Sequence, residues 1–398
     1  MLVYEFKLAG KQHQYSLIDE AIKTALFVRN SCIRYWMDNQ YVGKYDLSAY
    51  CKVLAEGFEW AKKLNSMARQ ASADRAWAAI SRFFSNCKKK ISGKKGFPKF
   101  KKRGHSVEYK TTGWKLSADR KYLTLTDGFG IGKLKLIGTY DLHYYQVSQI
   151  KRLRLLRKAD GYYAQFCIEV ERQIATEPTK KLLALDVGLT HFYTDSNGDK
   201  VENPRFLRIT EKALKRLQKR VSRKFVKQKN PGYKQSNNYK KAKSKLSRKH
   251  LKVGRQRKDF AVKLARCVIQ SNDLVAYEDL QVRHMVKNHN LGKSISDAAW
   301  YQFRCWLEYF GKVYGKITIA VPPHYTSINC SDCGNQVKKS LSTRTHKCSC
   351  GVELCRDTNA ALNILAKGLS TVGHTGTNAW GENALCLDLA TSLDKVAR

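Results

Sequence analysis

The chain has 398 residues, 43% of them hydrophobic, and its 74 lysines and arginines against 33 acidic residues give a net charge of +41. This length predicts two or three domains, and the apolar content excludes a wholly disordered chain. A positive charge of this size favours a nucleic acid as partner over the alternative, an anionic membrane surface. No apolar run reaches the ~18–20 residues of a membrane span.

The first half of the chain begins with a strand, LVYEFKLA, and continues with helical periodicity over residues 16–39 and 46–87. Residues 88–103 contain nine lysines and arginines around a Gly-Phe-Pro turn, which indicates a basic loop. Residues 107–171 then alternate with period two. This order predicts a helical block inserted after the first strand of a small β-barrel.

The second half begins with LLALDVG, a buried strand, followed by a hairpin in HFYTDSNGDKV. A strand over 273–280, a helix containing Trp300 and Trp306, and a strand over 317–323 complete a mixed α/β sheet. Periodicity is lost over 371–398, which is expected to be a flexible tail.

Residues 211–258 form the most basic segment, with twenty lysines and arginines and a single acidic residue. Their apolar positions predict an antiparallel helical hairpin that bends at NPGY. A solvated face is the alternative, but so much charge of one sign favours phosphate contacts. The candidate nucleic-acid-binding residues lie here and in the earlier basic loop: Lys240, Lys241, Lys243, Lys245, Lys99 and Lys101.

Four of the twelve cysteines have the spacing of metal ligands, with a Cys-x-x-Cys pair and a Cys-x-Cys pair fourteen residues apart: Cys330, Cys333, Cys348 and Cys350. Four thiolates suit structural Zn²⁺. Because the second pair is short, His346 and Cys355 stay open as substitutes for Cys350. The scattered remaining cysteines argue against a disulfide framework and indicate a reducing, cytosolic compartment.

Three acidic residues on separate elements are candidates for metal-dependent phosphodiester hydrolysis. Asp186 ends LLALD, Glu278 lies in LVAYED and Asp357 opens DTNAALNIL. Two-metal hydrolysis needs carboxylates that converge on Mg²⁺ (or Mn²⁺), and these cations prefer carboxylate oxygens. An acid after a strand is also a common turn or cap residue, and spacing alone leaves that interpretation open.

The ordered motifs resemble the TnpB proteins, RNA-guided nucleases of bacterial insertion sequences that are similar to type V CRISPR effectors. LALDVG, LVAYEDL, the cysteine pairs and RDTNAALNI carry the resemblance, and IRYWMDN, GFPKFKK and PHYTSINCSDCG extend it to about residues 1–370. It implies that Asp186, Glu278 and Asp357 are the metal-binding catalytic acids. Arg344 is then a candidate phosphate contact, with a surface arginine as the alternative.

The implied fold is α+β and multi-domain: a RuvC/RNase H-like nuclease domain with an inserted zinc ribbon, and an N-terminal wedge-like β-barrel carrying a helical recognition insertion. The expected bounds are 1–10 and 95–178 for the barrel, 11–94 for the helical domain, 179–325 and 353–370 for the nuclease domain with a basic helical hairpin at 211–270, 326–352 for the ribbon and 371–398 for the tail.

The implied function is RNA-guided DNA cleavage in the bacterial cytosol or nucleoid. A guide RNA from the element's end pairs with target double-stranded DNA beside a short target-adjacent motif, and the protein hydrolyses DNA phosphodiesters with Mg²⁺ (or Mn²⁺) and carries structural Zn²⁺. Two alternatives stay open: a transposase that joins strands with the same acids, and a guide-RNA-binding repressor. All three acids are present, which disfavours the repressor.

Overall fold

A computed structural model describes residues 1–90, 93–227, 234–340 and 343–374. The chain divides into two compact units, residues 1–172 and 173–398. This border lies a few residues before the one expected at 178/179, and the finer division into five parts stays a prediction.

The first unit is built on an antiparallel sheet of seven strands, in the order β2-β6-β7-β1-β5-β4-β3. The strands are β1 Leu2–Ala9, β2 Ser106–Lys110, β3 Trp114–Leu116, β4 Tyr122–Leu125, β5 Lys133–Ile137, β6 Ile150–Lys158 and β7 Gly161–Ile168. The first strand of the chain therefore lies in the middle of the sheet, and the helices inserted after it separate it in sequence from the other six strands. Closure of this sheet into a barrel stays a prediction.

The inserted helices are α1 Gln12–Asp38, α2 Lys44–Gly57, α3 Glu59–Lys62 and α4 Ser66–Lys88. The expected helical stretch 46–87 is thus interrupted twice. Phe58 adopts an extended conformation, and the Asn65 side chain caps α4 by accepting a hydrogen bond from the Met67 amide at 2.8 Å. Ile18 and Ile22 of α1 join the core of the sheet with Phe6 and Leu8.

The second unit contains a five-stranded mixed sheet in the order β10-β9-β8-β11-β12. Its strands are β8 Leu182–Val187, β9 His191–Asp195, β10 Lys200–Glu202, β11 Leu274–Glu278 and β12 Ile317–Val321. β8, β11 and β12 are parallel, whereas β9 and β10 form the predicted antiparallel hairpin. A separate two-stranded sheet pairs β13 Thr345–Lys347 with β14 Glu353–Cys355.

The helices of the second unit are α5 Phe206–Lys224, α6 Asn237–Ser271, α7 Val282–Met285, α8 Gly292–Ala298, α9 Trp300–Tyr314 and α10 Arg356–His374. α5 and α6 pack together as the predicted basic hairpin, and its NPGY bend lies outside the described residues. α10 runs to His374, so the expectation of a tail from 371 is wrong for its first residues. The rest, 375–398, is outside the described part of the chain.

Candidate active site and cysteine cluster

Two of the three predicted acids lie at the same edge of the sheet because their strands are parallel neighbours. Leu185 of β8 pairs with Tyr277 of β11. Asp186 and Glu278 are the next residues of these two strands, so they occupy equivalent positions near the carboxyl ends. Both side chains are partly buried. Strand ends set into a packed sheet hold their side chains in fixed positions.

The third acid is brought to this edge by α10, which packs across the sheet. Ile364 of α10 lies in a core cluster with Ala184 of β8 and Ala276 of β11. A Cβ at Gly368 would lie 2.8 Å from the Ala276 Cβ, so this close approach requires glycine. Asp357 is the second residue of α10, and its charge acts on Asp186 at the end of β8.

Asp186 lies within electrostatic reach of the other two carboxylates. Burial, followed by the charges of Glu278 and Asp357, raises the pKa of Asp186 well above its usual value. Burial also raises the pKa of Glu278, although a hydrogen bond from Thr326 opposes this. A site that confines three like charges favours a bound cation.

Thr326 is a site residue that sequence reasoning missed. Its hydroxyl donates a 2.7 Å hydrogen bond to Glu278 Oε1, and the residue is only 3% exposed. It therefore fixes one carboxylate oxygen of Glu278. The only sequence signal was its place in PHYTSINCSDCG, immediately before the first cysteine pair.

Two arginines lie beside Asp357. Arg356 Nη2 is 3.3 Å and Arg344 Nη1 is 3.7 Å from the Asp357 carboxylate, and the Arg356 amide bonds the Arg344 carbonyl at 2.7 Å. The Arg344 side chain is 55% exposed and also contacts the Thr190 hydroxyl at 3.4 Å. The structure thus places Arg344 at the acidic site, and its contact with phosphate stays a prediction. Arg356 was not predicted.

The four predicted cysteines form one cluster, with their Sγ atoms all within 4.8 Å of one another. Cys330 and Cys350 Sγ are 3.7 Å apart, and those of Cys333 and Cys348 are 3.5 Å apart. This geometry favours Cys350 over both substitutes. His346 is buried against Lys339, and Cys355 lies in β14 opposite Thr345.

Hydrogen bonds from α10 attach the first cysteine pair to the helix that carries Asp357. Asn359 Oδ1 accepts from the Ser331 amide at 3.0 Å, and its Nδ2 donates to the Asn329 carbonyl at 2.8 Å. Asn363 Nδ2 donates at 2.8 Å to the carbonyls of both Asn329 and Thr326. Asn359 is fully buried, and its side-chain amide is used in these hydrogen bonds.

The predicted nucleic-acid-binding lysines are on the surface. Lys240, Lys241, Lys243 and Lys245 are exposed at the start of α6, and Lys99 and Lys101 are exposed in the basic loop. By contrast the aromatic residues Tyr109 and Trp114 of the first unit are buried in its core and are not available to stack on a nucleic acid. The Tyr109 hydroxyl donates to Asp127 at 2.6 Å.

Comparison with solved structures defines the class of fold. The chain is similar to Cas12f1 in its complex with guide RNA and target DNA, with a TM-score of 0.53, 14% identity and coverage of 89% of this chain and 83% of that one. It is also similar to the mini RNA-guided endonuclease Cas_phi3, with a TM-score of 0.51, 11% identity and 92% coverage of both chains. At these identities the likeness shows the mixed α/β fold alone.

Comparison with sequence families confirms the resemblance to the TnpB proteins. A family model described as a probable transposase (OrfB_IS605) matches residues 165–289, and the Cas12f1-like TNB domain matches 300–364. A mimivirus relative named TnpB-like protein L79 is 26% identical over 52% of this chain and 41% of its own length.

Two bacterial relatives share the name "Putative RNA-guided DNA endonuclease". The Streptomyces pristinaespiralis protein is 38% identical over 48% of this chain and 46% of its own length. The Escherichia coli K12 protein, InsQ, is 28% identical over 78% of this chain and 76% of its own. The match thus spans about half of the first relative and three quarters of the second. None of the described helices is long and apolar enough to cross a membrane.

Proposed function

We propose that the chain is an RNA-guided DNA endonuclease that cuts DNA at Asp186, Glu278 and Asp357. The observation that carries this proposal is the convergence of the three carboxylates at one edge of the mixed sheet. The names of its relatives support the same activity. Guide RNA and target double-stranded DNA are then its partners, in a bacterial cytosol.

We assign the five-stranded sheet and α10 to a RuvC/RNase H-like nuclease domain, and the seven-stranded sheet to a wedge-like barrel. In the nuclease domain, Asp186 and Glu278 come from rigid strand ends and Asp357 from a helix packed on the same strands. All three donor groups are therefore held in place by the fold, as metal-dependent cleavage requires.

The donor sets fit two kinds of metal. Three carboxylates, two of which raise the pKa of the third, fit Mg²⁺ or Mn²⁺, and four clustered thiols fit structural Zn²⁺. At the carboxylates, the bound cation supplies Lewis acidity to the phosphoryl oxygen and lowers the pKa of water. Thr326 orients Glu278 for this role, and Arg344 is placed to contact a phosphate.

The proposal is tested by RNA-dependent cleavage. RNA that copurifies with the protein is sequenced, and duplex DNA matching its guide segment is incubated with the complex and Mg²⁺. We expect cleavage that is lost after RNase treatment, after chelation, or when the DNA does not match the RNA. RNA-independent joining of DNA ends would favour the transposase, and RNA-dependent binding without cleavage would favour the repressor.

Thr326→Val removes the hydroxyl that bonds Glu278 while keeping the shape of a buried side chain. We expect the affinity for Mn²⁺ to fall by about 10- to 100-fold, because groups that orient metal ligands typically contribute this much. Thr326→Ser keeps the hydroxyl and should bind nearly as the wild type does. Calorimetric titration of both variants with Mn²⁺ makes the comparison, and equal affinities would remove Thr326 from the site.

Replacing the exposed α6 residues Lys240, Lys241, Lys243 and Lys245 by Gln tests their contact with guide RNA. The logarithm of the RNA affinity falls linearly with the logarithm of the salt concentration, and this slope should become shallower by about 0.7–0.9 for every phosphate that is no longer neutralised. Single-turnover cleavage at saturating RNA should change much less, since these residues lie at the start of the 35-residue helix α6, whose other end leads into the strand of Glu278. An unchanged slope would mean that the lysines face solvent in the complex.

A further inference from the structure

The first unit contains a cationic cluster that the proposed active site does not use. Its members come from α1, α4, the basic loop and β6, and they surround one buried acid on β2. We call the following residues the arginine cluster: Arg29, Arg75, Lys101, Arg152, Arg154 and Glu108.

Glu108 organises the outer part of the cluster. It is only 3% exposed, and each of its oxygens accepts from a different guanidinium, Arg152 Nη1 at 2.7 Å and Arg154 Nη2 at 2.8 Å. Burial tends to raise the pKa of Glu108, but these hydrogen bonds prevail and lower it, so Glu108 is ionised. Two half-exposed guanidinium groups are thereby held side by side on one face of the sheet.

The inner part of the cluster has hydrogen bonds mainly to neutral acceptors. Arg75 donates to the Ser106 hydroxyl at 2.8 Å and its carbonyl at 3.2 Å, and the buried Arg29 donates to the Asn30 amide oxygen at 2.8 Å and to the Lys99 carbonyl at 3.3 Å.

Charge is not balanced in this inner part. Burial, and then the charge of Arg75, lowers the pKa of Arg29, and burial followed by the charges of Arg29 and Arg75 lowers the pKa of Lys101. Burial also lowers the pKa of Arg75, which Glu108 only partly offsets. Among the described residues, these five cations lie near the carboxylate of Glu108 and, at Arg152, the charge of Asp74, which also pairs with Lys110, so positive charge is in excess.

Confined cations are costly unless an anion neutralises them, and paired guanidinium groups match the oxygens of a phosphate. We propose that the arginine cluster binds the phosphodiester backbone of a nucleic acid, with the partly exposed Arg75, Arg152 and Arg154 and the exposed Lys101 as its contacts. The inference rests on the proposed function only in that a nucleic acid is the partner.

Arg75→Gln is the principal test, because it removes one charge and keeps a hydrogen-bond donor towards Ser106. Lys133→Gln is the matched control: it removes an exposed charge from β5 of the same sheet. Binding of a fluorescein-labelled single-stranded RNA and of a labelled DNA duplex is measured by anisotropy over a range of salt concentrations. Both titrations use the full chain without added Mg²⁺ or Mn²⁺, so a failure of cleavage does not affect the result.

We expect Arg75→Gln to weaken binding about tenfold and to reduce the salt slope by about 0.7–0.9, whereas Lys133→Gln changes neither. If Arg75→Gln weakens binding of the RNA probe, RNA is the source of the phosphate, and if it weakens binding of the duplex probe, DNA is the source. The thermal midpoint of free Arg75→Gln should equal or exceed that of the wild type, because repulsion within the cluster is relieved.

A second variant, Arg154→Lys, keeps the charge and the ion pair with Glu108 but loses the bidentate geometry. It should weaken binding at an unchanged salt slope. The proposal would be overturned if Arg75→Gln and Lys133→Gln had the same effect on binding, or if neither probe bound Arg75→Gln more weakly than the wild type. It would also be overturned if Arg75→Gln had a lower thermal midpoint than the wild type, because Arg75 would then be a structural cation.

Discussion

Asp186→Asn, Glu278→Gln and Asp357→Asn are each expected to lower the rate of DNA cleavage by about 10³-fold or more, with guide RNA binding retained. Each substitution keeps the size of the side chain and removes one anionic oxygen donor from the converging set. The measurement is single-turnover cleavage of matched duplex DNA with RNA and Mg²⁺ at saturation. A variant that cuts at a near wild-type rate would remove that residue from the active site.

Stability separates this chemical role from a structural one. The folded protein raises the pKa of Asp186, which means that folding disfavours the ionised carboxylate. At neutral pH and in the absence of metal, Asp186→Asn should therefore not lower the free energy of unfolding. The wild-type protein should become more stable as pH falls from neutral through this raised pKa, because the folded state takes up the proton first. Asp186→Asn should lack that rise.

Asp279→Asn is the matched control for the three acids. Asp279 directly follows Glu278, but its carboxylate forms an ion pair with Arg304 and is about half exposed. Its substitution removes one negative charge beside the site without removing one of the three converging carboxylates. Cleavage should therefore stay close to the wild-type rate.

The sequence allowed the acids to be predicted because their positions depend on local pattern. A continuous apolar run such as LLALD is typical of a buried parallel strand, and its end marks the edge of the sheet. The same pattern in LVAYED therefore suggests a second carboxylate at that edge, and the two strands pair in that register. The spacing of the cysteines is equally local, and it identifies all four members of the cluster.

The contacts that the sequence did not predict depend on tertiary packing. The hydrogen bond from Thr326 to Glu278 joins residues 48 positions apart, and no periodicity relates them. Asn359 likewise bonds a loop that precedes it by about thirty residues, and no local pattern relates the two. Phe58 interrupts a helical pattern because its extended backbone ends α2, which propensity alone does not indicate.

Cys330→Ser or Cys348→Ser is expected to release one zinc ion per chain and to unfold the cysteine cluster. Three remaining thiolates bind zinc much more weakly, and the binding free energy of a structural zinc is folding free energy. Elemental analysis of the purified proteins measures the metal, and a wild-type protein without zinc would contradict the prediction. Cys87→Ser, an exposed cysteine on α4, is the control and should keep the metal.

Loss of the zinc should also weaken DNA cleavage, because the cluster is bonded to the elements that hold two of the acids. Asn359 and Asn363 attach the loop around Cys330 to α10, which carries Asp357. Asn363 also bonds the Thr326 carbonyl, and the Thr326 hydroxyl bonds Glu278. An unfolded cluster therefore loosens both acids at once.

This coupling predicts that Cys330→Ser lowers the affinity for Mn²⁺ as well as the cleavage rate, although the cysteine is not expected to contact that cation. Removing groups that orient metal ligands typically lowers metal affinity by about 10- to 100-fold. Asn359→Asp keeps the acceptor for the Ser331 amide but removes the donor to the Asn329 carbonyl. It should retain zinc and still weaken Mn²⁺ binding. If the cysteine variant lost zinc and bound Mn²⁺ as the wild type does, the cluster and the acids would be independent.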